Sequence, residues 1–149
     1  SDLDHYMKEK YHCKWYFRYM DDIVVIGWSK KWLHRCLSVI RRIINGISLE
    51  IKNTWCIRPV SQGIDFVGYV SFKKDQVIVK LRKRTKVRMK RACKIVARHM
   101  ADDVSPTAHD KGVIASYLGC LKWCNSHYLG SKTVYPLTGY VGIHMEESP

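Results

Sequence analysis

Hydrophobic and polar positions follow two different patterns along the chain, and the change falls near residue 80. Before it, short runs rich in β-branched and aromatic residues predict strands, most clearly at residues 13–19 and 23–28. The second of these runs is apolar throughout, which predicts a strand that is buried on both faces. Since only a short polar stretch separates the runs, we expect an antiparallel hairpin with Asp21 and Asp22 at its tip.

In the segment that follows this hairpin, the apolar residues have helical spacing. Between Trp32 and Ile44 apolar residues recur every three or four positions, which predicts an amphipathic helix lying on the sheet. The other face carries Lys30, Lys31, Arg35, Arg41 and Arg42. Ser29 is a favourable N-cap, and the Asn45-Gly46 pair tolerates the left-handed conformation that ends many helices. Residues 3–10 have the pattern of the end of an earlier helix.

Further strands are predicted at residues 49–51, 55–60, 64–72 and 76–81, with a turn at residues 73–75 between the last two. After them, Thr85 is expected to cap a basic helix that ends near Met100. Ser105-Pro106 is expected to open another helix that runs to about Asn125, and the tail gives only a weak signal. The predicted fold class is therefore α+β: an antiparallel sheet with a packed helix over residues 1–80, then a helical region over residues 81–149.

Composition adds a strong bias towards positive charge. The 149 residues include 26 Lys plus Arg against 13 Asp plus Glu, a net charge of +13, while a 46% hydrophobic content argues against disorder. A charge of this size predicts a polyanionic partner. The longest stretch without Asp, Glu, Lys or Arg, residues 133–145, is too short and too interrupted by Pro and Gly to cross a bilayer.

One segment, residues 80–98, concentrates this charge and contains no acidic residue. Because a solvated helix face normally mixes signs, a run of one sign indicates contact with a phosphate backbone. Its basic residues are Lys80, Arg82, Lys83, Arg84, Lys86, Arg88, Lys90, Arg91, Lys94 and Arg98. An alternative partner, an anionic membrane surface, is disfavoured because the segment lacks the bulky aromatic residues of interfacial anchors.

The six cysteines are scattered and no secretory signal precedes them, so we expect reduced thiols in a cytoplasmic protein. Cys120, Cys124 and His127 form the one zinc-like spacing. They supply only three ligands without a second Cys/His pair, which favours packed thiols over a metal site. Because the sequence does not begin with Met, we expect that it is either a processed chain or a piece of a longer one.

Two adjacent carboxylates between apolar strands suggest metal chemistry. Like charges this close disfavour ionisation unless a cation lies beside them, and Mg²⁺ prefers a few carboxylate oxygens together with water and substrate phosphates. Two such ions promote nucleotidyl transfer. The alternative is a solvated Asp-Asp turn without a ligand.

The string Phe17-Arg18-Tyr19-Met20-Asp21-Asp22, followed by the apolar run, resembles the strand-turn-strand of reverse transcriptases, in which Tyr-x-Asp-Asp marks the palm domain. Other segments resemble this family in order. Residues 1–10 resemble the preceding palm helix, 49–55 the next palm motif, 63–69 the primer-grip hairpin, and 81–85 with 116–119 the thumb. Bacterial and phage enzymes of diversity-generating retroelements, retrons and group II introns are the most similar, and the strings at 63–69 and 81–85 favour the first type.

This resemblance implies a bacterial or phage RNA-directed DNA polymerase, with a palm over residues 1–80 and a thumb over 81–149. Its partners would be template RNA, the primer/cDNA duplex and a dNTP, without a membrane; an accessory protein stays open. Asp21 and Asp22 would hold Mg²⁺, and Lys52 is a candidate for protonating the pyrophosphate. Tyr19 and Met20 would contact the primer end. The remaining implied roles are a primer grip at Phe66, Gly68 and Tyr69, and duplex binding by the basic residues of 80–98.

Two parts of such an enzyme are not found in these residues. A further palm carboxylate and the fingers are expected upstream of Ser1, so the isolated chain is expected not to polymerise. The competing hypothesis is a non-catalytic, maturase-like RNA-binding module whose Asp pair is only a turn.

Overall fold

The computed structural model describes residues 2–144, which divide into two compact units, one ending at Gln62 and the other beginning at Gly63. Both units combine helices with a small antiparallel sheet, which confirms the α+β prediction. No helix in the described part of the chain has the length and apolar character needed to cross a membrane.

The first unit packs two helical segments against a hairpin. Helix α1 (Asp2–His5) continues as a π-helical turn (Tyr6–Lys10), and strands β1 (Trp15–Tyr19) and β2 (Asp22–Ile26) precede helix α2 (Lys30–Asn45). A short 3-10 turn (Val60–Gln62) ends the unit. The core is apolar, and its buried members are Leu3, Met7, Cys13, Tyr16, Cys36 and Ile40.

Strands β1 and β2 form the predicted hairpin, with Tyr19 paired to Asp22 across a two-residue turn. The expectation that β2 is buried on both faces is wrong. Ile23, Val24, Val25 and Ile26 are half-buried, and the sheet has two strands in the described residues, so β2 has a neighbour along one edge only. An apolar run indicates that a strand is hydrophobic, but it does not show how many of its faces are covered by other elements.

Helix α2 confirms the predicted periodicity and its Ser29 N-cap. Its predicted left-handed end is wrong, because Gly46 is right-handed with φ −62° and Ser48 adopts the positive φ of 59° instead. The strands expected at 49–51 and 55–60 are also wrong. These residues are irregular, since neither run finds a pairing partner in the described chain.

The second unit begins with a three-stranded meander of β3 (Ile64–Phe66), β4 (Tyr69–Lys73) and β5 (Val77–Leu81). The strand predicted over 64–72 is thus divided by a turn at Val67-Gly68, where both residues have positive φ. Four helices follow: α3 (Lys83–Ala101), α4 (Ala108–Lys122), α5 (His127–Ser131) and α6 (Tyr135–Thr138).

Two of the predicted helix starts are shifted in the structure. Helix α3 begins two residues before Thr85, and Arg82 at its N-cap position makes no side-chain capping hydrogen bond. Helix α4 begins after Thr107 and not at Ser105-Pro106, because Thr107 and Asp110 form a reciprocal capping box. It ends at Lys122, short of Asn125.

The core of the second unit includes residues from the meander and from the helices. Leu81 on β5 packs with Met89, Cys93 and Val96 of α3, and Ile114 of α4 joins them. The meander therefore belongs with the helices. This division at 62/63 differs from the predicted palm and thumb boundary at 80/81.

Candidate nucleic-acid and metal site

The acidic pair lies at an exposed hairpin tip. Met20 and Asp21 form the turn, Asp22 is the first residue of β2, and both carboxylates face solvent. Met20 adopts φ 49° and is 74% exposed, and Tyr19 is 53% exposed. An exposed apolar tip beside two carboxylates could contact a ligand without any rearrangement of the hairpin.

A charged contact fixes this hairpin to α1. The Arg18 guanidinium donates two hydrogen bonds to Asp4, from Nε to Oδ1 at 2.7 Å and from the terminal nitrogen to Oδ2 at 2.6 Å. The Tyr16 hydroxyl donates to Asp4 Oδ1 at 2.9 Å, and burial, reinforced by this carboxylate, raises the pKa of Tyr16 above its ordinary value. Sequence periodicity missed this contact, although the Arg beside the Tyr-Met-Asp-Asp string was a signal for it.

The carboxylate oxygens at the hairpin tip are of the kind that Mg²⁺ prefers. Asp21 and Asp22 supply hard carboxylate oxygens in solvent, which suits an ion that keeps several waters and completes its shell with phosphate oxygens. Among residues 2–144 no group of three His, Cys, Asp or Glu side chains comes together. The two carboxylates could supply part of a magnesium shell, and water or substrate oxygens would have to supply the rest.

Lys52 lies in the irregular loop after α2 and is exposed. Its carbonyl accepts a long hydrogen bond of 3.4 Å from the backbone N–H of Trp55. Within the described residues no contact joins Lys52 to Asp21 or Asp22. Its suggested role in protonating the leaving group stays a prediction.

The hairpin of β3 and β4 is tied to the helical part of the second unit. Phe66 pairs with Tyr69 across the Val67-Gly68 turn, and the Tyr69 hydroxyl donates to the Cys120 carbonyl at 3.0 Å. The Gly68 carbonyl accepts from the Arg82 backbone N–H at 2.9 Å. The predicted primer-grip residues therefore come together at one turn next to the start of α3.

Nine of the ten predicted basic residues are exposed. The tenth, Arg82, is half-buried and pairs with Asp65 at 2.6 Å. On α3, Met89, Cys93 and Val96 face the core, while Arg84, Arg91 and Arg98 recur every seven residues on the outer side. Seven helical residues span ~10.5 Å, so these arginines form a regular cationic ridge.

Two exposed aromatic residues of the second unit, Trp123 and Tyr128, were not among the predicted site residues. Trp123 is 69% exposed with the Lys122 ammonium 5.8 Å from its ring centroid, and Tyr128 is 77% exposed with Lys132 6.0 Å away. The alternation of Lys with exposed aromatic residues on both sides of Asn125 was the available signal.

The zinc-like spacing forms a different set of contacts. The Cys124 thiol donates to the carbonyls of Cys120 and Leu121, each at 3.6 Å, and the His127 ring packs against Tyr135 at 5.7 Å. All six cysteines are free thiols.

No model of a known protein family matches this sequence, and no curated protein matches it significantly.

Proposed function

We propose that the chain is the palm and thumb part of an RNA-directed DNA polymerase, a reverse transcriptase of bacterial or phage type. The observation that carries the proposal is the Tyr-Met-Asp-Asp hairpin, which exposes two carboxylates at a two-residue turn in a chain of net charge +13. An exposed acidic pair on an otherwise cationic protein suits a site where a divalent ion meets a polyanionic substrate.

Each element has a distinct role in this proposal. Asp21 and Asp22 would hold Mg²⁺, which when bound supplies Lewis-acid activation of the primer hydroxyl and charge stabilisation at the leaving phosphate. Arg18 and Asp4 keep the hairpin fixed to α1. The exposed Tyr19 and Met20 offer a surface to the primer end, and the ridge of α3 neutralises backbone phosphates.

The proposal is tested by Asp21→Asn and Asp22→Asn in the full-length protein, with a primed RNA template, dNTPs and Mg²⁺. DNA synthesis should fall about a hundredfold or more, because metal stabilisation of the transition state amounts to several kcal/mol. RNA affinity should hold or rise, since each change removes one negative charge. The matched control is Asp75→Asn, an exposed carboxylate at the β4–β5 turn, which should leave synthesis intact.

Asp21 and Asp22 alone are not expected to support DNA synthesis. We expect a third carboxylate and the fingers to come from a longer polypeptide, so the 149-residue chain should not extend a primer with Mg²⁺ and dNTPs. Robust extension by this chain would contradict the idea of an incomplete site. The six free thiols are consistent with a cytoplasmic location for the longer protein.

A second candidate is a non-catalytic, maturase-like RNA-binding module. It is favoured by the absence of a third ligand beside Asp21 and Asp22 among residues 2–144 and by the density of exposed cations on α3. Under this hypothesis both Asp-to-Asn variants leave every measurable function of the full-length protein nearly unchanged. The same synthesis assay therefore separates the two candidates.

A further inference from the structure

The outer face of α2 carries positive charge without compensating carboxylates. No acidic residue occurs between Asp22 and Glu50, and no salt bridge in the described chain involves α2. Like charges four residues apart destabilise a helix by ~0.2–0.5 kcal/mol per pair, as Lys31 and Arg35 are expected to do. The exposed basic side chains of this face are Lys30, Lys31, His34, Arg35, Arg41 and Arg42.

Part of this face is concave. An open depression of about 530 Å³ is lined by Lys31, His34, Arg35 and Ser38 of α2, together with Tyr11 and Val39. The Tyr11 ring packs on Trp32 with centroids 6.2 Å apart, which fixes one side of the depression. The Ser38 hydroxyl donates to the His34 carbonyl at 3.0 Å. The result is a cationic surface with an aromatic ring at its edge.

Two of the arginines on α2 are already held by aromatic rings. Arg41 lies 5.1 Å from the Trp55 ring centroid, and Arg42 donates to the Tyr6 hydroxyl at 3.2 Å. Lys31 and Arg35 have no such partner among the described residues. They are therefore the cations that remain available to a ligand in the depression.

We propose that this depression binds the phosphodiester backbone of an RNA strand, which makes it a second nucleic-acid surface in addition to that of α3. The choice of RNA rests on the proposed function, while the charge and shape come from α2 itself. Exposed cations bind phosphates directly, and an aromatic ring at the edge suits a stacked base. No large hydrophobic side chain of α2 is exposed.

The first test compares two charge-neutralising variants of the whole chain that differ only in place. Lys31→Gln with Arg35→Gln removes the free cations of the depression. Lys73→Gln with Lys74→Gln removes the same charge at the exposed end of β4. Binding of a fluorescent single-stranded polyuridine RNA is measured by anisotropy from about 50 to about 200 mM salt, the range over which phosphate contacts weaken.

Each phosphate contact with a single strand contributes ~0.7 to the slope of log affinity against log salt, so the loss of two contacts should reduce the slope by ~1.4. The factor by which the affinity falls over this fourfold salt range should then be about sevenfold smaller than for the parent chain. The Lys73/Lys74 variant should keep the original slope. Equal slopes and affinities for the two variants would overturn the α2 surface while leaving the Asp21 and Asp22 test untouched. Conversely, unchanged synthesis in the Asp variants would overturn the polymerase alone.

A second test uses the unaltered chain. Bound polyuridine should slow the acetylation of Lys31 severalfold, measured by mass spectrometry, and should leave Lys73 at its original rate. Equal acetylation of Lys31 with and without RNA would overturn the proposal. Protection by polyaspartate equal to that by RNA at matched charge would also overturn it, because the surface would then bind any polyanion.

Discussion

At the scale of single residues, the β1–β2 turn and the β3–β4 turn each place a non-glycine residue in the left-handed region. Met20 has φ 49° and the β-branched Val67 has φ 50°, a conformation that costs an L-residue roughly 1–2 kcal/mol. Strain of this kind concentrates where function dictates the backbone. Outside these two turns, His12, Ser48 and Asp103 also have positive φ, so this conformation does not by itself mark the proposed site.

Gly68 permits a matched test of this backbone requirement. A Cβ added at Gly68 or at Gly119 meets no atom within 4 Å, but Gly68 has φ 85° whereas Gly119 lies inside helix α4. Gly68→Ala should lower the free energy of unfolding by about 1 kcal/mol, and Gly119→Ala should raise it by about 0.5–1 kcal/mol. Urea denaturation measures both, and changes of the same sign would contradict the role of φ.

Asp110 gives the second residue-scale prediction. Its carboxylate is buried, accepts from the Thr107 backbone and hydroxyl at 3.0 and 2.8 Å, and lies 3.2 Å from His99 Nδ1. The hydrogen bonds from Thr107 hold the pKa of Asp110 below its ordinary value of 3.8. Its contribution to stability is therefore complete above pH ~4 and is lost as the pH falls through the lowered pKa.

Asp110→Asn should remove this contribution. We expect a variant that is less stable at neutral pH and whose free energy of unfolding falls less steeply than that of the parent below pH ~4. Urea denaturation across pH provides the measurement, with Asp75→Asn as an exposed control that keeps the parental slope. Parallel curves for the parent and Asp110→Asn would exclude this carboxylate as a source of acid sensitivity.

At the scale of elements, the contact of Arg18 with Asp4 joins β1 to α1. The two side chains are about two-thirds buried, at 31% and 30% exposure, and the geometry is bidentate. Asp4→Asn should lower the free energy of unfolding by about 1 kcal/mol, because a partly buried bidentate ion pair contributes more to stability than an exposed pair does. In the polymerase assay it should also slow synthesis, since the hairpin tip loses its anchor.

The control for this prediction is Glu9→Gln. His5 Nδ1 lies 3.0 Å from Glu9 Oε1 in the same helical segment, but the two side chains are 60% and 64% exposed. Loss of this contact should change stability by only a few tenths of a kcal/mol. Equal destabilisation by the two variants would mean that the Arg18 contact acts as an ordinary surface pair.

Elements with a strong local signal were predictable from the sequence, and those that depend on distant partners were not. The periodicity of α2 and the hairpin around Asp21 and Asp22 are local features, and the structure confirms both. Residues 49–51 and 55–60 have strand-like composition but no partner strand, so composition alone misled. The sequence placed the start of α4 at Ser105-Pro106, but the helix begins after Thr107, where the capping box forms.

The candidate site divides in the same way. The tip carboxylates and the basic residues of α3 could be chosen from sequence, because a motif and a run of one charge are visible along the chain. The Arg18–Asp4 contact joins residues 14 positions apart and depends on how β1 packs against α1, which no periodicity encodes. The depression on α2 likewise depends on Tyr11 packing against Trp32.

At the scale of the whole molecule, the two units have separate hydrophobic cores. Met7 is completely buried in the first unit among residues such as Cys36 and Ile40, and Met89 is completely buried in the second beside Val96 and Ile114. The two clusters share no buried residue. Separate cores predict that each unit opens as its own cooperative segment.

The two methionines allow a matched test of this independence. Met7→Ala and Met89→Ala each remove the same buried side chain, and each should destabilise its own unit by about 3 kcal/mol through lost burial and a residual cavity. Amide hydrogen exchange read by mass spectrometry should accelerate in β1, β2 and α2 for Met7→Ala, and in α3 and α4 for Met89→Ala. Acceleration by the same factor in both units, whichever methionine is replaced, would show instead that the chain opens as one cooperative body.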